Sequence, residues 1–120
     1  MTLPKDLVTL LKKHESFCIV SHKEPDGDAV ASSVVLGSLL SRIGKNILLC
    51  SPGPFIRKEI QEYEDIFLTE IPEDFMSLSP VLLALDASTQ DRLGSFSVLV
   101  NVLTTAMIDH HTAGTPFGQI

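Results

Sequence analysis

The chain has 120 residues, 44% hydrophobic and 20% charged, with a formal charge of −6. That is an ordinary globular composition, enough for one domain or part of one with a real core. Its acidic balance makes long nucleic acid a poor electrostatic partner, because phosphate neutralisation drives that binding, but a small phosphate substrate stays open where divalent cations reverse the local sign.

Thr2 can cap a helix with Pro4 in its first turn; Leu3, Leu7, Leu10 and Leu11 recur at helical spacing, and Lys12, Lys13 and His14 suit its negative C-terminal end. Phe17-Cys18-Ile19-Val20 is a continuous apolar run, as expected of a strand buried on both faces, and the polar loop Ser21 to Gly27 follows it. From Asp28 onward Ala29, Val30, Val34, Val35, Leu36, Leu39, Leu40 and Ile43 form a broad apolar helical surface, with Gly44 as a natural stop. Asn46 to Cys50 is a second strand, ended by Ser51-Pro52-Gly53-Pro54. Ile56 to Phe67 reads as a helix with charges on one face, and Thr69 to Ser79 as connecting loop. Val81 to Leu85 is a third strand, and Ser88 to Ser95 a polar loop or short turn. Phe96 to Leu103 fits helix and strand alike; Ala106-Met107-Ile108 is a fourth strand.

This alternation predicts an α/β fold, a parallel sheet with helices packed on it. Ligands of such sheets bind beyond the carboxyl ends of the strands, so His22, Asp26, Asp28, Asp86, Asp109 and His110 would gather at one edge as a metal site. Five acidic residues, Glu24, Asp26, Asp28, Asp86 and Asp109, lie at or near that site. Cys18 and Cys50 lie inside apolar runs without CxxC spacing, which predicts reduced core thiols. No segment is long and apolar enough to span a bilayer, and Met1 to His14 does not read as a signal peptide; a cytoplasmic protein is expected.

Hydrolysing a phosphate ester at neutral pH requires a good nucleophile and neutralised phosphate charge, and two divalent ions a few ångströms apart supply both. His22, Asp26, Asp28, Asp86 and His110 form a mixed oxygen and nitrogen set that suits Mn²⁺, or Mg²⁺, better than a closed zinc site. Taken singly, each piece also fits a structural role. Pro25-Asp26-Gly27-Asp28 fits a turn plus helix N-cap, Asp86 a strand-end aspartate or cap, and Arg92 a surface or ion-paired residue as well as a phosphate contact. The set in this order on strand ends is what points to a metal centre.

These residues resemble the N-terminal domain of the DHH phosphoesterase superfamily, named for the triplet seen here as Asp109-His110-His111. The first motif is similar to His22-x-x-Pro25-Asp26-Gly27-Asp28-Ala29, the second to Leu85-Asp86-Ala87-Ser88 followed by Arg92-Leu93-Gly94. The first motif looks most like the nanoRNase and phosphoadenosine-phosphate phosphatase branch; family II inorganic pyrophosphatases usually have threonine where Gly27 stands, and the single-strand exonuclease branch usually has another aspartate-rich motif. The resemblance implies a catalytic set of Asp86, Asp109, His110 and His111. His22 and Asp26 would hold one Mn²⁺, Asp28 and His110 the other, and Asp86 would bridge them. His111 and Arg92 would face the substrate phosphate, and Asp109 would orient the neighbouring imidazole.

The family's fourth motif, with a further metal-binding aspartate, and its glycine-rich second domain have no counterpart before Ile120; Ala31 stands where glycine is common. The expectation is therefore residues 1–120 as an incomplete N-terminal domain of a Mn²⁺-dependent phosphoesterase. Its substrates would be short oligonucleotides, linear dinucleotides or nucleoside 3′,5′-bisphosphates, with no membrane partner and a homodimer left open. The alternatives are a catalytically incomplete metal- or nucleotide-binding fragment and a family II-like pyrophosphatase. A non-catalytic nucleotide-binding domain is weakened by the lack of a GxGxxG or P-loop pattern.

Overall fold

Four apolar runs become the strands of one parallel sheet in the computed structural model, which describes residues 5–85 and 90–108. They are β1 (Ser16–Ser21), β2 (Asn46–Cys50), β3 (Val81–Leu85) and β4 (Thr105–Ile108), in the spatial order β2-β1-β3-β4. β1 and β3 lie in the middle and are buried along their whole length, which is why their sequences are continuously apolar rather than alternating. The predicted α/β class, a parallel sheet carrying helices, is the observed one.

Strand side chains alternate between two cores. Phe17, Ile19, Val81, Leu83 and Leu85 pack with Leu10 of α1 (Lys5–Lys13) and Leu40 of α2 (Gly27–Arg42). On the opposite face Cys18, Val20, Leu82 and Ala84 pack with Leu93, Phe96 and Leu103, flanked by Phe75 and Met76 of a short α3 (Glu73–Met76). Both cysteines are free and buried; a side-chain hydrogen bond between Cys50 and Cys18, together with burial, pushes the Cys50 thiol far above its ordinary range, so it stays protonated.

The helix at Gly27–Arg42 stops as its sequence predicts. Gly44 sits at φ 87°, its N–H donates to the Ser41 carbonyl at 3.1 Å, and the Lys45 N–H donates to the Leu40 carbonyl at 3.0 Å. Both bonds tie off carbonyls of the last helical turn. Its buried stripe is narrower than the apolar pattern predicts. Val35, Leu39 and Ile43 are 58%, 53% and 65% exposed, while Ser33 and Gly37 are buried. Close approach is the reason: a Cβ on Gly37 would stand 3.1 Å from Leu49 Cδ2, so the helix lies against the sheet through its smallest residue.

Three segments differ from their sequence pattern. Ile56 to Phe67, expected as a helix, is a 3₁₀ segment over Lys58–Ile66. Its flanking Phe55 and Phe67 rings meet with centroids 5.3 Å apart and pack with Val30, whereas a straight α-helix would part them by about 18 Å. Thr69 to Ser79 is not all loop, since Glu73–Met76 forms one helical turn behind Pro72. The loop expected at Ser88 to Ser95 and the ambiguous run at Phe96 to Leu103 share a 3₁₀ segment, Gln90–Asn101, broken at Gly94; Leu93 and Phe96 turn inward and Val98 outward. Thr2, Leu3 and Pro4 lie outside the described residues. Among the described residues no helix is long and apolar enough to cross a membrane.

Leu83→Ala should cost about 2–5 kcal/mol of unfolding free energy, since it empties a fully buried position between helix and sheet, and Val98→Ala, 68% exposed, should change it by less than about 0.5 kcal/mol in the same urea titration.

Candidate active site

The strand order sets the place of the site. The chain runs from β1 outward to β2, then returns past β1 to β3, so the direction of winding reverses between β1 and β3. Open parallel sheets leave a crevice for ligands at such a reversal, beyond the carboxyl ends of the two strands. The register aligns Ser21 with Leu85 and Leu85 with Ile108. These are the residues that immediately precede His22, Asp86 and Asp109 in the sequence. Asp86, Asp109, His110 and His111 themselves lie outside the described residues, leaving His22, Asp26, Asp28 and Arg92 to be followed in atomic detail.

His22 is 5% exposed, and its Nδ1 lies 2.6 Å from the Lys23 carbonyl oxygen. Arg92 Nη2 lies 3.1 Å from the same nitrogen and 3.4 Å from the same carbonyl. One ring nitrogen cannot serve both neighbours. A lone pair on Nδ1 would face the carbonyl oxygen at 2.6 Å, so the proton belongs on Nδ1 and donates to Lys23, and Arg92 donates to that carbonyl instead. This tautomer places the imidazole lone pair on Nε2, the form in which histidine binds metal while its other nitrogen is held by a carbonyl.

Asp26 Oδ1 accepts the Ala29 N–H at 2.9 Å, so Asp26 is the N-cap of the following helix, as the turn-and-cap reading of Pro25-Asp26-Gly27-Asp28 requires. The second carboxylate oxygen is not used by that cap. Asp28 follows in the first helical turn, exposed, where the helix dipole favours an anion. Among the described residues no three His, Cys, Asp or Glu side chains converge as a metal-binding group. His22, Asp26 and Asp28 thus do not make a complete ligand set by themselves. As a donor set, one imidazole nitrogen and carboxylate oxygens, they fit a hard or borderline divalent cation.

Apart from Gly94, the scaffold under these side chains carries no motif side chain. Ser33 Oγ donates to the Ala29 carbonyl at 2.8 Å, and the Ser21 hydroxyl lies 2.7 Å from Ser33 Oγ, welding the end of β1 to the first turn of α2. Both serines are fully buried. The Glu24 N–H donates to the Gly53 carbonyl at 3.2 Å, and the Lys23 N–H donates to the Arg92 carbonyl at 2.7 Å. The connections after β2 and β3 therefore clasp the loop after β1. Gly94 makes this clasp possible. It sits at φ 56°, and a Cβ there would stand 2.8 Å from Pro52 Cβ and 3.3 Å from Lys23 Cγ. A small residue at the meeting of three loops is invisible to local pattern; only the Arg92-Leu93-Gly94 run flagged it.

The profile described as DHH family, N-terminal domain, matches residues 16–119. The chain belongs to the DHH family. This DHH domain is 32% identical over 106 residues to a bifunctional oligoribonuclease and PAP phosphatase NrnA of Thermus thermophilus, an alignment covering 85% of the chain and 30% of that protein. It superposes with a TM-score of 0.74 and 28% identity on the crystal structure of an exopolyphosphatase-related protein from Bacteroides fragilis, covering 96% of the chain and 36% of that structure. It thus spans about a third of the length of these relatives.

Gly94→Ala should destabilise the DHH domain by about 2–4 kcal/mol, combining strain at a positive φ with a clash against Pro52; thermal unfolding followed by circular dichroism checks it.

Proposed function

We propose that this DHH domain is the metal-binding part of a Mn²⁺-dependent phosphoesterase acting on short oligonucleotides, linear dinucleotides or nucleoside 3′,5′-bisphosphates. The alignment of Ser21, Leu85 and Ile108 at one sheet edge carries this reading, because those residues precede His22, Asp86 and Asp109. The name of the Thermus thermophilus relative, an oligoribonuclease and PAP phosphatase, supports the substrate class.

His22 and Asp26 would hold one cation and Asp28 and His110 a second, with Asp86 between them. When bound, the cations supply a water acidified toward neutral pKa and neutralise charge on the phosphoryl oxygens. The chain's own groups prepare for this. The Lys23 carbonyl fixes the His22 tautomer, and the Ala29 N–H fixes the Asp26 carboxylate before any cation arrives. Arg92, anchored on the Lys23 carbonyl, contributes positive charge next to His22. His111 would face the phosphate and Asp109 would orient the adjoining imidazole. Water would attack phosphorus in line and lose its proton to solvent as the bond to the leaving oxygen breaks, and that oxygen would take its proton from water or His111.

The test is Mn²⁺-dependent release of mononucleotide from a short RNA and of phosphate from adenosine 3′,5′-bisphosphate. Asp86→Ala should abolish both. Asp26→Asn should abolish turnover while keeping the cap, with stability within about 0.5 kcal/mol of wild type, whereas Asp26→Ala should lose about 1 kcal/mol as well. Wild-type protein that binds Mn²⁺ and turns over neither substrate would overturn the enzymatic reading in favour of a binding fragment.

A further inference from the structure

Beside the loop that carries His22 and Asp26 lies a cavity of about 210 Å³, lined by Glu24, Pro25, Ile56 and Arg57. We propose that it receives a second, non-scissile phosphate of the substrate and that Arg57 is the ligand of that phosphate. This rests on the phosphoesterase reading above and names a binding determinant additional to it.

Placement comes first. Glu24 and Pro25 lie between His22 and Asp26 in the sequence, so Glu24 is within about 7 Å of chain from either candidate ligand. A phosphate in this cavity would therefore be close enough to belong to the same substrate as the one being cleaved. The cavity wall is anchored rather than loose. Phe55 and Ile60, on either side of Arg57, are buried against Val30 of α2, and the Ile60 N–H donates to the Arg57 carbonyl at 3.2 Å. The Glu24 N–H is tied to Gly53 on the facing loop.

Charge comes second. Lys12, Lys13, Arg42 and Lys45 lie on the helix ends and turns that lead into β1 and β2, while Lys23, Arg57, Lys58 and Arg92 lie in the connections that leave the carboxyl ends of β1, β2 and β3. Arg92 is already committed to the Lys23 carbonyl. Among the described residues the Arg57 side chain has no hydrogen bond or ion pair, although it lines the cavity. A planar guanidinium with no partner among the described residues, flanked by the apolar Pro25 and Ile56, is suited to bidentate contact with phosphate oxygens.

Glu24 opposes this. Glu24 lines the same cavity, and its negative charge disfavours an anion there, so it sets how strongly a second phosphate is held. Arg57 and Glu24 should then act with opposite sign. That distinguishes a specificity device from a merely structural pair, which would lose function when either member changes.

The experiment is calorimetric titration, with Mn²⁺ present, of the wild type and of Arg57→Gln, Arg57→Lys and Glu24→Gln. The ligands are hydrolysis-resistant phosphonate analogues of adenosine 3′,5′-bisphosphate, adenosine 5′-monophosphate, and a diadenylate with and without a 5′-phosphate. Arg57→Gln should weaken the two-phosphate ligands by about fivefold and leave the one-phosphate ligands within about twofold. Arg57→Lys should restore part of the loss, and Glu24→Gln should tighten the two-phosphate ligands. A loss on the bisphosphate alone assigns the second phosphate to a mononucleotide; a loss on the 5′-phosphorylated diadenylate alone assigns it to the flanking phosphate of an oligonucleotide. Equal effects on one- and two-phosphate ligands, or none, overturn the assignment of Arg57 alone. Wild-type protein that binds none of the four overturns the phosphoesterase reading, and this inference with it.

Discussion

The parallel pairing of β1 with β3 is the constraint on which the rest depends. It puts two fully buried strands at the centre of the sheet and makes the winding reverse between them. Because β4 pairs with β3 in the same register, the last residues of three strands stand side by side. A shift of that register by one residue would turn Phe17 and Ile19 toward the wrong core and stagger the strand ends as well. The hydrophobic pattern that selects the fold thus also levels the edge at which the candidate ligands leave it.

Around that edge the structure spends polar groups on holding a loop still. His22 is fixed by the carbonyl of its neighbour, Asp26 by the helix it caps, Ser21 and Ser33 by each other, and Lys23 and Glu24 by backbone bonds to two other connections. Each bond contributes about 0.5–1.5 kcal/mol to stability. Together they restrict the loop before any ligand arrives, which reduces the ordering cost of binding. An acidic protein otherwise unsuited to anions keeps Lys23, Arg57 and Arg92 in the connections at this edge, consistent with a small phosphate substrate held through cations and a few guanidinium contacts.

Much of this was legible in the residues. The buried strands were, because burial on both faces leaves no polar position to blur the pattern, and so was the helix stop at Gly44, because a positive φ selects glycine. His22, Asp26 and Asp28 stood out as chemistry at a strand end, and the structure puts them in the loop and first helical turn after β1. What escaped has a common cause, contact between distant segments. The stacking of Phe55 on Phe67 bends Ile56 to Phe67 out of the α-helix its pattern suggests. The approach of α2 through Gly37 leaves Val35, Leu39 and Ile43 outside. The clasp of Pro52, Lys23 and Gly94 joins three connections that no local window contains. The roles of Asp86, Asp109, His110 and His111 rest on the sequence pattern and the family match.

The central claim is that one edge of this sheet assembles a two-cation centre. Electron paramagnetic resonance during titration with Mn²⁺ tests it most directly. The account predicts that, as the second equivalent binds, the six-line signal of isolated Mn²⁺ gives way to the multiline signal of an exchange-coupled pair. A six-line signal that grows in proportion to added metal, with no coupled species at saturation, would contradict it.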